Sequence, residues 1–366
     1  MHKTSARPMV WAYVSLIVYA SLYPFADWRL QGVMPWDFLW APLPQYWSGF
    51  DLVSNTLGYM PLGFLLVIAR TREGRGLHAV GRAMASVAVI SLSMEAAQVY
   101  LPSRVPSNVD LLLNIVGGAA GAFFSRYLLA RGVIDRWVDV RQRWFSKDGR
   151  AELVLLVLWP LALLFPVSVP LGLGQVYGRL GSWVADWLAD SPLINWAPAQ
   201  AIGVDFISPQ QVAVVVAMGS LIPILLAYLV IGNAQRRIWS ASVIWSVGIL
   251  ANTLSGLLDA GFASAWTWLG PLEVAGLATS LALAVLMARI PPIHAARVLC
   301  IVLVGYLILI NRMPASTYFQ LTLDSWEQGR FSRFHGAAQW LGWLWPYAVL
   351  TCAVMRGFIR QSKIDE

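Results

Sequence analysis

A polar pattern occurs twice in otherwise apolar sequence, and its side chains are the first candidates for chemistry. The pattern Asp-Leu-x-x-Asn-x-x-Gly begins at Asp51 and again at Asp110, 59 positions later. The repeat pairs Asn55 with Asn114 in the same way. Both copies open hydrophobic stretches of membrane-spanning length, where carboxylates and amides are costly. We therefore expect these side chains to have a function.

A second set of polar residues lies between the two copies. Glu95 and Gln98 are three positions apart and Ser91 continues the same stripe, so the three share one face of a helix. Arg104 is the lone charge of the short connection that follows. The predicted ligand-binding residues are Asp51, Asn55, Glu95, Gln98, Arg104, Asp110 and Asn114.

Two interpretations of this constellation remain open. In the functional one, the carboxylates and Arg104 bind a polar group at the outer face, such as a lipid headgroup, a lipid-linked sugar or a cell-wall peptide. If a reaction occurs there, Glu95 is the best candidate for a catalytic residue, acting as general base. In the structural one, the amides bridge helices, Asp51 and Asp110 cap helix N-termini, and glycines allow close helix approach. The glycines concerned are Gly58, Gly117 and Gly121.

The composition is that of a polytopic membrane protein. Of the 366 residues, 58% are hydrophobic and only 12% are charged, which predicts an all-helical transmembrane bundle. Ten apolar segments are long enough to span a bilayer. They lie near residues 9–25, 50–69, 83–101, 109–128, 152–170, 210–231, 238–258, 268–288, 296–311 and 336–355.

The distribution of basic residues predicts the orientation. With the N-terminus inside, 20 of the 26 Lys and Arg residues fall at cytoplasmic ends or loops, as basic residues do in membrane proteins. We therefore predict both termini in the cytoplasm of a multi-pass protein of the bacterial inner membrane. The net charge of +7 then reflects contact with anionic membrane lipids, and no nucleic-acid partner is predicted.

A charged stretch from Arg126 to Glu152 predicts two domains. Residues 1–150 form a four-span unit and residues 151–366 a six-span extension. Between the fifth and sixth segments, residues 177–189 form an amphipathic pattern on the external side. That segment is either a helix in the membrane interface or a loop packed over the bundle.

The sequence gives little indication of a cysteine, metal or cofactor site. Cys300 and Cys352 are isolated within predicted spans, and no ligand spacing demands a metal ion. We predict no metal site and no cofactor, and the sequence identifies no protein partner.

The polar residues carry a family resemblance. The ordered motifs are Asp51-x3-Asn55-x2-Gly58-Tyr59-x-Pro61-x-Gly63, Ser91-x3-Glu95-x2-Gln98, Pro102-x-Arg104 and Asp110-x3-Asn114-x2-Gly117-Gly118. Together they resemble the VanZ-like membrane protein family over about residues 10–130. The founding member of that family is associated with low-level resistance to the glycopeptide teicoplanin. The resemblance therefore implies a role in the cell envelope.

Three functions follow as hypotheses. The leading one is an envelope protein whose outward-facing polar pocket recognises a cell-wall or lipid-linked ligand and influences glycopeptide susceptibility. The second is an enzyme acting on a lipid-linked substrate at the outer leaflet, with Arg104 as an anion clamp. The third is a transporter, for which the repeat is the only indication.

Overall fold

The protein is all-helical, as the sequence predicts. The structure, a computed structural model, describes residues 6–359 except 24, 44–48, 73–77, 147, 165–166, 190, 192–207, 261, 263–264 and 314–331. It contains 77% helix, and its described part holds no β-strand. An all-helical architecture satisfies every backbone hydrogen bond within a segment, which a lipid environment requires.

Two compact units make up the chain, Met1–Val140 and Arg141–Glu366. The helices of the first unit are α1 (Ala6–Leu22), α2 (Gly49–Arg72), α3 (Ala79–Gln98) and α4 (Asn108–Ala130), and α5 (Val133–Trp144) crosses into the second. The second unit continues with α6 (Arg150–Ala162), α7 (Tyr177–Leu188), α8 (Pro209–Tyr228), α9 (Ala234–Ala260), α10 (Pro271–Met287), α11 (Pro292–Arg312) and α12 (Ser332–Val354). The predicted division at residue 150 into four-span and six-span domains stays a prediction.

Six helices of the described chain are long and apolar enough to cross a membrane. These are α2, α3, α4, α8, α9 and α11, while α1 and α10 are shorter apolar helices. The chain is therefore a multi-pass membrane protein. The number of ten spans and the cytoplasmic location of both termini stay predictions.

Helices α2 and α4 touch through their backbones. A Cβ atom placed on Gly117 would lie 2.0 Å from the carbonyl oxygen of Thr56, and one on Gly121 would lie 1.9 Å from that of Met60. Both pairs advance by four residues in the same direction, so the two helices run parallel. Small residues at such contacts let backbones approach closely. We call these contacts the glycine seam.

The structural interpretation included Gly58 among the glycines that allow close helix approach, and the structure does not show this for Gly58. A Cβ atom on Gly58 would meet nothing within 4 Å, and its carbonyl accepts a hydrogen bond of 2.8 Å from the Tyr13 hydroxyl of α1. Gly63 takes part instead, because a Cβ atom there would lie 1.9 Å from the Gly118 carbonyl oxygen. The two copies of the repeat therefore use different faces for packing.

The predicted fifth span, 152–170, differs from the structure. Helix α6 ends at Ala162 after 13 residues, a length of about 20 Å, which is shorter than the hydrocarbon core of a bilayer. A non-helical segment, residues 167–176, follows and is largely buried. Its carbonyl at Leu171 would lie 2.7 Å from a Cβ atom on Gly219. Gly219 is near the middle of α8, so this irregular backbone lies deep within the second unit.

Side chains from other helices satisfy the backbone of the non-helical segment. The Tyr306 hydroxyl accepts a hydrogen bond from the Leu173 N–H at 2.6 Å and lies 2.9 Å from the Leu173 carbonyl oxygen. Asn311 accepts from the Val176 N–H at 2.9 Å and donates to the Gly174 carbonyl at 3.1 Å. The backbone hydrogen bonds of irregular segments within a membrane must be satisfied by protein or water. Tyr306 and Asn311 satisfy several of them in this segment.

Helix α7 forms the amphipathic element that the sequence indicates. Four of its apolar side chains are exposed at helical spacing: Tyr177, Leu180, Val184 and Trp187. The side chain of Asn311 in the last turn of α11 also accepts a hydrogen bond from the N–H of Tyr177. An exposed apolar face favours the interfacial helix over a packed loop, and the interfacial location stays a prediction.

A buried arginine on α9 binds backbone carbonyls at the C-terminal ends of α8 and α10. Arg237 is 2% exposed, and its guanidinium donates to the backbone carbonyls of Tyr228, Ile231, Ala288 and Ile290. Carbonyls at helix C-termini lack partners within the helix and carry partial negative charge. The arginine thus compensates helix ends that would otherwise be buried without donors.

Candidate functional site

The two asparagines of the repeat lie at matching depth in parallel helices. Asn55 is six residues after the start of α2 at Gly49, and Asn114 is six residues after the start of α4 at Asn108. At a rise of about 1.5 Å per residue, each lies about 9 Å from the start of its helix. The glycine seam begins just below, at Thr56, and holds the helices in this register. The sequence repeat therefore corresponds to a spatial one.

Glu95 has a defined structural partner. It is 3% exposed, and its Oε2 accepts a hydrogen bond of 2.9 Å from the backbone N–H of Ser107. Ser107 is the N-cap residue of α4, and its own Oγ accepts from the N–H groups of Val109 and Asp110. In a capping box, a glutamate within the helix binds the N–H of the N-cap residue. Here Glu95 does so from α3.

The structure corrects the expected helix caps. Ser107 caps α4, while Asp110 lies in the first turn of that helix, where a negative charge still favours the helix dipole. The side chain of Asp51 lies outside the described part of the structure. Serine and aspartate are both good N-cap residues, so the sequence alone did not distinguish Ser107 from Asp110. The helix begins at Asn108, which makes Ser107 the cap.

Ser91 connects the second helical asparagine to the stripe on α3. The Asn114 Nδ2 donates to the Ser91 Oγ at 2.9 Å, and both side chains are buried. Ser91 lies one helical turn from Glu95, so α3 presents a hydroxyl and a carboxylate to the start of α4. Glu95, Ser91 and Asn114 thus form one polar cluster between α3 and α4.

Gln98 and Arg104 bind the end of α1. Gln98 Nε2 donates to the carbonyl of Ser21 at 3.0 Å, and Arg104 donates from Nε to the carbonyl of Tyr23 at 3.1 Å. Both residues therefore help to fix the connection after α1 against the end of α3. The structure gives them a positioning contact in addition to any role toward a ligand.

Tyr59 joins the cluster, although the sequence did not select it as a site residue. It lies four residues after Asn55 on α2 and is 6% exposed. The Ser91 and Ser21 side chains lie near its hydroxyl without meeting the geometry of a hydrogen bond, and Glu95 acts on it electrostatically. The signal was present in the spacing, since positions four apart share a helix face.

Three buried polar atoms of this region have no hydrogen-bond partner among the described residues. They are the Nδ2 of Asn55, the hydroxyl of Tyr59 and the Oδ1 of Asn114. A buried polar group without a partner costs about 1–3 kcal/mol, so native proteins contain few of them. No described residue supplies a hydrogen-bond partner for these three atoms.

The described residues contain no group of three or more His, Cys, Asp and Glu side chains placed to hold a metal ion. The polar cluster instead combines neutral amides and hydroxyls with one buried carboxylate, a composition suited to recognition by hydrogen bonds.

Residues 4–130 match the model of the VanZ/LLP1 family. The N-terminal region is therefore VanZ-like, as the resemblance predicts. The match includes α1–α4 and every residue of the candidate site, and covers about a third of the 366 residues. No curated protein and no solved structure gives a significant match to the chain.

Proposed function

We propose that this VanZ-like membrane protein recognises a cell-wall or lipid-linked ligand at the polar cluster and thereby influences the properties of the bacterial cell envelope. The proposal includes susceptibility to glycopeptides of the teicoplanin type. It places the protein in the cytoplasmic membrane with the starts of α2 and α4 facing outward. The three unpartnered buried polar atoms, within a region that matches the VanZ/LLP1 family, carry this proposal.

The energetics support a role beyond packing. Hydrogen bonds between helices in membranes contribute well under about 1 kcal/mol on average. Each of the three unpartnered atoms, the Nδ2 of Asn55, the hydroxyl of Tyr59 and the Oδ1 of Asn114, costs more than such a bond returns. Apolar side chains at these positions would give a more stable bundle, so the amides and the hydroxyl serve another purpose.

The proposal is tested by deleting the gene and complementing with wild-type protein, Asn55→Leu or Ser125→Ala. Ser125 is a matched control because its buried hydroxyl on α4 also has no hydrogen-bond partner among the described residues. It lies 11 residues, about 16 Å, deeper than Asn114. We expect deletion and Asn55→Leu to change glycopeptide susceptibility and envelope-stress reporters equally, and Ser125→Ala to restore the wild-type profile. An unchanged profile after deletion would refute the proposal.

The enzyme hypothesis gains no specific support from the geometry. A general base needs a lone pair directed at a substrate proton. The Oε2 of Glu95 accepts the Ser107 N–H, a contact that holds the start of α4. We therefore keep recognition as the leading function.

A second candidate function is transport by the C-terminal unit, and the non-helical segment favours it. Interrupted helices at membrane depth form substrate and ion sites in many transporters. Helix α6 stops after 13 residues, and the Leu171 carbonyl lies beside the middle of α8. Purified protein in liposomes should then show proton or monovalent-cation flux that Tyr306→Phe reduces. Absence of flux under an imposed gradient would count against this function.

A further inference from the structure

We propose that Asn55, Tyr59 and Asn114 form a subsite for a neutral group that both donates and accepts hydrogen bonds, as a sugar hydroxyl or an amide does. The inference rests on the proposed function and specifies the chemical class of its ligand. It follows from which atoms of the three side chains remain without partners among the described residues.

The unpartnered atoms define a mixed set. Asn55 offers an N–H donor, Asn114 offers a carbonyl acceptor, and the Tyr59 hydroxyl can do either. The Nδ2 of Asn114 donates to the Ser91 Oγ, and the Oδ1 is the atom of this amide without a partner. This oxygen therefore remains as an acceptor. A ligand that satisfies the set must bring at least one donor and one acceptor.

This set disfavours a simple anion. A carboxylate or a fully deprotonated phosphate only accepts hydrogen bonds, so it would leave the Asn114 oxygen unpartnered and place negative charge beside it. A hydroxyl or an amide matches both kinds of atom without introducing a charge into a buried site.

Depth and packing suggest how such a group arrives. Asn55 and Asn114 lie about 9 Å from the starts of their helices, and Tyr59 lies one turn deeper. The glycine seam fixes α2 against α4, so the two asparagines keep their spacing. All three atoms are sealed from solvent. A ligand therefore reaches these atoms only if the side chains or helices that cover them move.

Binding of three short-chain alkyl probes to the full-length protein in lipid nanodiscs tests the inference. The probes are an alkyl N-acetylglucosaminide, an N-acyl amino-acid amide and an alkyl phosphate of equal chain length, used below their micelle concentrations. We expect at least one neutral probe to bind, and Asn55→Leu and Tyr59→Phe each to weaken its affinity at least tenfold. The first two probes distinguish a sugar from a peptide as the source of the group.

Ser125→Ala is the matched control, because it removes a buried unpartnered hydroxyl outside the subsite. It should leave probe affinity within twofold of wild type. Unfolding temperatures of all variants without probe verify that each one folds. Failure of both neutral probes, or affinity that survives both Asn55→Leu and Tyr59→Phe, would overturn the inference. Alkyl phosphate binding unaffected by these variants would overturn it too, while leaving an envelope role supported by the deletion phenotype intact.

Discussion

The Oε2 of Glu95 accepts a hydrogen bond of 2.9 Å from the backbone N–H of Ser107, the N-cap residue of α4. The carboxylate comes from α3, so the bond ties the end of one helix to the start of the next across nine intervening loop and cap positions, 99–107. A buried carboxylate in a membrane helix thus has a structural task.

Glu95→Ala should lower the free energy of unfolding by about 1–3 kcal/mol, because the Ser107 N–H loses its acceptor in a buried place. Glu95→Gln retains an acceptor oxygen and should cost less than about 1 kcal/mol. Thermal unfolding of the purified protein in detergent measures both. Equal losses in the two variants would show that the charge, rather than the acceptor, holds the loop.

Gly121→Ala should disrupt the first unit. A Cβ atom there would lie 1.9 Å from the Met60 carbonyl oxygen, and backbone on both sides leaves no flexible side chain to yield. We expect a loss of more than about 2 kcal/mol, at the upper range of overpacking effects. The measurement is the unfolding temperature of the full-length protein.

Gly58→Ala provides the matched control, since a Cβ atom at that position meets nothing within 4 Å. Replacing an interior helical glycine by alanine should raise stability by about 0.5–1 kcal/mol. If both substitutions were neutral, α2 and α4 would not be in backbone contact.

Tyr306→Phe should destabilise the second unit by about 1–3 kcal/mol, because the buried N–H of Leu173 loses its acceptor. Tyr228→Phe is the comparison. The Tyr228 hydroxyl donates at 3.0 Å to the carbonyl of Ala284, which lies inside α10, and its loss should cost about 0.5–1.5 kcal/mol. Hydrogen exchange of residues 167–176 should accelerate in Tyr306→Phe and not in Tyr228→Phe. Unchanged protection in Tyr306→Phe would show that the Tyr306 hydroxyl does not stabilise this segment.

Arg237→Lys should destabilise the protein although it keeps the positive charge. The planar guanidinium reaches four backbone carbonyls at once, and an ammonium group cannot reproduce that fork. We expect a loss of about 2 kcal/mol in unfolding free energy, compared with less than about 0.5 kcal/mol for Arg236→Lys. Circular dichroism during heating distinguishes the two. Similar unfolding temperatures would mean that the four bonds contribute little.

The sequence predicted what depends on composition and on spacing. Apolar stretches gave the helical membrane class, and the 59-residue repeat anticipated that Asn55 and Asn114 lie at equal depth. The spacing of Glu95 and Ser91 placed them on one face, which the contacts at Ser107 and Asn114 confirm. These features are local, so a single chain segment determines them.

Features that depend on partners from other segments escaped prediction. Gly58 and Gly63 are equally suited to a helix contact, and only the relative rotation of α2 and α4 decides between them. The end of α6 at Ala162 was also missed. Hydropathy cannot distinguish a helix from apolar irregular backbone whose hydrogen bonds come from Tyr306 and Asn311, more than 130 positions away.

The backbone contact between α2 and α4 also restricts the approach of lipids. With the Gly121 Cα facing the Met60 carbonyl, the gap is too narrow for an acyl chain to insert between the two helices. A ligand carried on a hydrocarbon tail must keep that tail along another surface of the first unit while its head reaches Asn55. Crosslinkers placed on the tail and on the head of such a molecule should therefore label different helices.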